Sequence, residues 1–118
     1  MLRLTMLKRL TELSPHSVPG FLLRLPLRLL PHGQVVWVLG GVNQGARWIA
    51  SSSTHGCWVG TYEHATQSLV AARIKAGMTV WDIGANAGFY TLAFSRLTGR
   101  YGHVYAFEPL AENAWHLL

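Results

Sequence analysis

"VWDIGANAGFYT", Val80 to Thr91, decides the reading of the fold. An apolar run of strand length meets an acid, Asp82. Two glycines with an asparagine between them follow, and then an apolar segment. Extended back to Met78, "MTVWDIG" is almost continuously apolar, as expected of a strand buried on both faces. Gly84 and Gly88 remove side chains where the backbone must turn sharply and approach a ligand. Strand, glycine-rich turn and helix form the arrangement that holds nucleotide-like ligands outside the carboxyl ends of strands in doubly wound sheets.

The flanking sequence fits that unit. "FYTLAFSRL" continues at helical spacing and "TGRYG" breaks it. "HVYAF" is a second buried-type strand, closed by Glu108-Pro109, and "LAENAWHLL" begins another helix. Strand–helix–strand–helix implies a parallel βαβ unit and an α/β fold. Ahead of it, "VVWVLG" and "ARWIAS" are β-branched and aromatic runs separated by "GVNQG", which predicts two strands joined as a hairpin. "STHGCWVGTYEHATQ" is rich in small and polar residues and is expected to be mostly loop. A helix is expected from Ala65 to Ala76, with Leu69, Val70 and Ile74 as its apolar stripe and Gly77 at its stop. Residues Leu2 to Leu13 read as a short amphipathic helix, ended by "SPHSVPG", and "FLLRLPLRLL" as a further helical piece around Pro26. Both pack on the domain or, alternatively, meet a membrane surface.

The ligand follows from the order of the loop residues. The dinucleotide fingerprint is G-x-G-x-x-G with a pyrophosphate on the helix N-terminus. This loop instead reads D-x-G-x-N-x-G, with bulky Phe89 and Tyr90 directly after Gly88. An acid ahead of the glycines is unfavourable beside a pyrophosphate and favourable beside an ammonium or sulfonium group. S-adenosylmethionine carries both groups and no phosphate. Glu108 ends the second strand roughly 20 residues after the loop, where a carboxylate accepts from ribose hydroxyls. Each feature alone has a plainer reading: a tight turn for the glycines, a helix N-cap for Asp82, a strand-end turn for Glu108. Their combination carries the binding reading.

"MTVWDIGANAGFYTLAFSRLTGRYGHVYAFEP", with "ARWI" and "HGCWVGTYE" ahead of it, resembles the FkbM family of S-adenosylmethionine-dependent methyltransferases, in the class I Rossmann-like group. The resemblance covers roughly residues 33 to 118. It implies that Asp82, Gly84, Asn86 and Gly88 form the cofactor loop, that Glu108 holds the ribose, and that Phe107 and Pro109 shape the adenosine pocket. The wider class usually has glycine where Asn86 stands. Glu63 is a further candidate, either a loop acid folding over the methionine part or a surface acid at a helix start. Against the family's sheet of about seven strands, this chain is expected to contain the first two. It would be the cofactor-binding N-terminal part of an enzyme that methylates a sugar or other small molecule, and is expected to be inactive alone. No residue is assigned as the base that a hydroxyl acceptor needs.

Composition bounds the rest. The chain has 118 residues, half of them hydrophobic, only 13% charged, and a net charge of +5. That is one domain with enough apolar residues for a core and little charge to cover its surface. Arg3, Lys8, Arg9, Arg24 and Arg28 stand against Glu12 in the first 30 residues. Residues 1–32 are therefore read as a basic amphipathic segment and 33–118 as a partial cofactor-binding domain. The basic segment allows weak membrane contact, and no nucleic-acid partner is expected. Phe21 to Val42 is broken by Arg24, Pro26, Arg28, Pro31 and His32, so no transmembrane segment is expected. Cys57 is the single cysteine, and with no targeting segment recognised a cytoplasmic protein is expected. His55, Cys57 and His64 match no common zinc spacing, so no metal is expected. Trp37, Trp48, Trp58, Trp81 and Trp115 are expected as core or edge packing. Two other classes remain as rivals: a nucleotide or NAD-binding module, and a non-catalytic adaptor working through the basic segment.

Overall fold

In the computed structural model, which describes residues 30–118, the βαβ unit expected from the sequence forms the spine of the chain. In chain order the elements are β1 (Val35–Trp37), β2 (Arg47–Ile49), α1 (His55–Val59), α2 (His64–Arg73), β3 (Thr79–Ile83), α3 (Phe89–Thr98), β4 (His103–Phe107) and α4 (Ala111–Ala114). Short 3₁₀ turns follow α3 and α4. The segments Leu2 to Leu13 and "FLLRLPLRLL" up to Leu29 lie outside the described residues.

β3 and β4 pair in parallel, from Thr79 opposite His103 to Ile83 opposite Phe107. α3 makes the crossover and packs on one face of this pair. Alternation along the strands places Val80, Asp82, Val104 and Ala106 on the helix side. Thr79, Trp81, Ile83, His103, Tyr105 and Phe107 stand on the other face, and all are exposed. The strands are thus covered on one face, not on both as their composition suggests. The chain is a small α/β domain with a two-stranded parallel sheet.

β1 and β2 form the expected hairpin, antiparallel with Val36 opposite Trp48. Its loop curls back on itself through Val38 N–H to the Ala46 carbonyl and Gly45 N–H to the Val38 carbonyl, each 2.9 Å. The core lies between this hairpin, α1 and the start of α3. Val38, Trp48, Cys57, Trp58, Ala87 and Phe89 bury together there. Phe89 meets the Trp48 and Tyr62 rings edge-on, with centroids 6.0 and 5.1 Å apart. Such aromatic pairs contribute about 0.5–1.5 kcal/mol each beyond the area they bury. The loop after β3 is therefore seated on the packed core of the domain.

Several expectations need correction. "STHGCWVGTYEHATQ" is not mostly loop: it contains α1, a single turn of helix held by burial of Cys57 and Trp58. α2 runs from His64 to Arg73, not from Ala65 to Ala76, and Ile74 is already extended. The buried residue of α2 is Gln67, while Leu69 is exposed. Gly77 does not cap α2. It turns the chain into β3, with its N–H donating to the Thr98 carbonyl at 2.8 Å. The last helix is one turn, Ala111–Ala114, continued by a 3₁₀ turn. Of the five tryptophans, Trp48 and Trp58 are buried, whereas Trp37, Trp81 and Trp115 are exposed. Among the described residues no helix is long and apolar enough to cross a membrane.

Candidate functional site

The loop from Gly84 to Gly88 leaves the carboxyl end of β3 and enters α3. It turns by three left-handed residues, Gly84 (φ 81°), Asn86 (φ 50°) and Gly88 (φ 87°). Glycine carries the first and last without a Cβ penalty. Asparagine tolerates the middle one because its short amide bonds locally, and here Asn86 Oδ1 accepts the Ala87 N–H at 2.6 Å.

The loop amides are all engaged. Gly84 and Ala85 N–H both donate to the Phe107 carbonyl, at 2.8 and 3.0 Å, which stitches the loop to the end of β4. Gly88 N–H donates to the Ala85 carbonyl at 2.8 Å. Asn86 N–H donates to Glu108 Oε2 at 2.7 Å, and the other Glu108 oxygen accepts Leu110 N–H at 2.8 Å. The Leu110 and Asn86 amides hold the Glu108 carboxyl below the usual glutamate range. Each of its oxygens keeps a second lone pair for a ligand.

Asp82 points to the helix side and is buried. It takes no loop amide; its Oδ2 accepts the Thr91 hydroxyl at 2.5 Å. Thr91 sits one turn into α3, so this bond fixes the helix start against the strand end. Glu63 stands at the N-cap of α2 in the left-handed region (φ 41°), but its side chain does not cap the helix. It accepts the Tyr90 hydroxyl at 2.9 Å instead. Burial, reinforced by Glu63, pushes the Tyr90 phenol well above its ordinary value, and the Tyr62 phenol is raised for the same reasons. Burial also raises the Cys57 thiol, which keeps it protonated and a poor nucleophile.

A small pocket of about 70 Å³ opens between these groups, with Ser53, Tyr62, Asp82, Asn86 and Tyr90 among its lining. No Arg, Lys or His lines it, and Asp82 is its one acid. It takes a few atoms, not a nucleoside; Glu108 stands outside its lining and meets the loop at the Asn86 N–H.

The structure thus gathers Asp82, Gly84, Asn86, Gly88 and Glu108 around one loop, with Glu63 reaching it through Tyr90. Four partners went unseen in the sequence. Thr91 and Tyr90 complete the two acids. Asn43 Nδ2 donates to the Phe89 carbonyl at 2.8 Å. Gln67 Oε1 accepts Val42 N–H at 2.9 Å, and its amide donates to the Tyr62 carbonyl. A hydroxyl in the first turn after Gly88 was a signal for Thr91; nothing local marks Asn43 or Gln67. Among the described residues, no group of three or more His, Cys, Asp and Glu is arranged to hold a metal ion. No protein-family model, curated protein or solved structure matches the chain.

Proposed function

We propose that the chain binds S-adenosylmethionine at the Gly84–Gly88 loop, as part of a Rossmann-like class I methyltransferase of the FkbM type. The observation that carries the reading is the acceptor character of the loop pocket. From Gly84 to Gly88 every amide already donates within the protein. What the pocket offers a ligand is the Asp82 carboxylate beside the hydroxyl-bearing Ser53 and Tyr62, with no basic side chain in its lining. A pyrophosphate would meet an acid there and no free loop donor, whereas an ammonium group meets its complement.

The size of the pocket, about 70 Å³, suits the amino-acid end of the cofactor. Glu108, at the end of the neighbouring strand, takes the ribose hydroxyls, and Phe107 and Pro109 flank the adenosine. The Glu63–Tyr90 pair borders the methionine side. Bound there, the cofactor supplies an electrophilic methyl group; the residues of this chain bind and orient it. The acceptor is a small molecule carrying a hydroxyl. A cytoplasmic site of action is part of the same proposal.

Calorimetric titration of the full chain with S-adenosylmethionine and, separately, with NAD tests the reading. Micromolar-range binding of the first and none of the second is expected, with Asp82→Asn weakening it at least tenfold. Tighter binding of NAD, or no heat with S-adenosylmethionine at millimolar concentration, overturns it.

A further inference from the structure

A second, larger cavity borders the loop at Ala87 and Gly88. It is a groove of about 490 Å³ between the hairpin, α3 and the final turn. That volume is in the range of small-molecule sites, roughly 300–1,000 Å³. Val35 and Ile49 are register partners, so their side chains stand on one face of the hairpin, and Arg47, two residues from Ile49, shares it. Leu92 and Ser95 of α3 form the opposite wall, and Leu117 closes one end.

The charge in this groove has one sign. Arg47 lines it and no carboxylate does. The Arg47 guanidinium makes no hydrogen bond or ion pair among the described residues. Arg96 and Arg100 are engaged, the first donating to the Gln44 carbonyl at 2.9 Å and the second lying 4.9 Å over the Tyr101 ring, whereas Arg73 on α2, like Arg47, is free among the described residues but lines no part of the groove. An idle guanidinium beside apolar walls matches a ligand with an apolar body and a planar acid group, which its fork holds by two parallel bonds. Ser52 and Ser95 add hydroxyls to the same lining.

We propose that this groove is a second ligand site, taking a small apolar carboxylic acid with its carboxylate on Arg47. It shares only Ala87 with the lining of the loop pocket, and it stands whether or not the loop holds S-adenosylmethionine.

The test is an NMR titration of the full chain with 4-phenylbutyrate and with 4-phenylbutanol, its uncharged counterpart. The acid is expected to bind about tenfold tighter, as one charge-assisted pair allows, and to shift the amides of residues 47–52 and 88–95. Arg47→Gln removes that preference and leaves the affinity for the alcohol within about twofold. Arg47 is exposed, so the variant keeps the fold, which its circular dichroism checks. Raising salt from 50 to 500 mM weakens the acid alone. Equal affinity for the two probes, a preference that survives Arg47→Gln, or shifts confined to the outer sheet face at Trp81 and Tyr105 would each overturn the proposal. So would the absence of binding by either probe at 10 mM.

Discussion

Asn43 offers the sharpest test of how the site is held. It is fully buried in the loop between β1 and β2. Its amide donates to the carbonyl of Phe89, the first residue of α3 after Gly88. One side chain therefore ties the hairpin to the end of the Gly84–Gly88 loop. Asn43→Ala loses one buried hydrogen bond, about 1 kcal/mol net. It also leaves roughly 30 Å³ of space, which at ~24 cal/mol per Å³ adds about 0.7 kcal/mol. Asn43 Oδ1 accepts no hydrogen bond among the described residues, so its removal costs nothing further. The expected loss is about 1.5–2 kcal/mol. Asn43→Asp keeps the volume but replaces the donor with an acceptor facing an acceptor. An ionised carboxylate there is buried and unpaired, which costs about 3–5 kcal/mol at pH 7. The protonated acid donates to the Phe89 carbonyl, so the folded pKa of that carboxyl is raised. The penalty is accordingly absent below the unfolded value of about 4 and grows as pH rises toward the folded value. Urea unfolding followed by tryptophan fluorescence at pH 7 and pH 4, with each variant compared with the natural chain at the same pH, reads both effects. If Asn43→Asp is as stable as Asn43→Ala at pH 7, or the gap between them does not close in acid, the assigned bond is wrong.

The other expectations concern the loop and its supports. Thr91→Val removes the donor to Asp82, should cost about 1.5–3 kcal/mol, and should weaken S-adenosylmethionine about tenfold by calorimetry, with Thr91→Ser restoring both. Gly60 has φ 93°, and a Cβ there would collide with the Gly40 backbone, so Gly60→Ala should lower stability by about 2–4 kcal/mol in thermal melts. The folded pKa of Glu108 is lowered, so its contribution is present above the unfolded value near 4.3 and lost as pH falls through the folded one. The melting difference between the natural chain and Glu108→Gln should therefore be constant from pH 8 to pH 5 and close in stronger acid.

The βαβ unit was legible because its signals are local. "TVWDI" and "HVYAF" carry strand composition over five-residue spans, and the glycines between mark the turn. The loop acids were legible for the same reason: strand parity and the parallel register bring the ends of β3 and β4 together. α1 was not, because a single turn is too short to show a period. α2 misled because its buried position is decided from elsewhere. Val42 N–H needs an acceptor, Gln67 supplies it, and the helix turns its polar residue inward and leaves Leu69 outside. Asn43 likewise lies 46 residues from its partner. These are contacts between segments distant in the chain, and no short window contains both halves.

Trp81 and Ile83, 66% and 71% exposed, follow from the same parity that makes the site. Asp82 must face α3 to meet Thr91, and alternation then forces both neighbours to the opposite face. The parallel register adds Tyr105 and Phe107 beside them, with the Trp81 ring 6.1 and 5.7 Å from theirs. A slip of one residue would cover Trp81 and Ile83, but it would turn Asp82 outward and away from the helix start. An apolar row of this size on the surface is costly to solubility, yet the arrangement that would hide it dismantles the loop's support. The exposed apolar row and the inward placement of Asp82 are thus two consequences of one register.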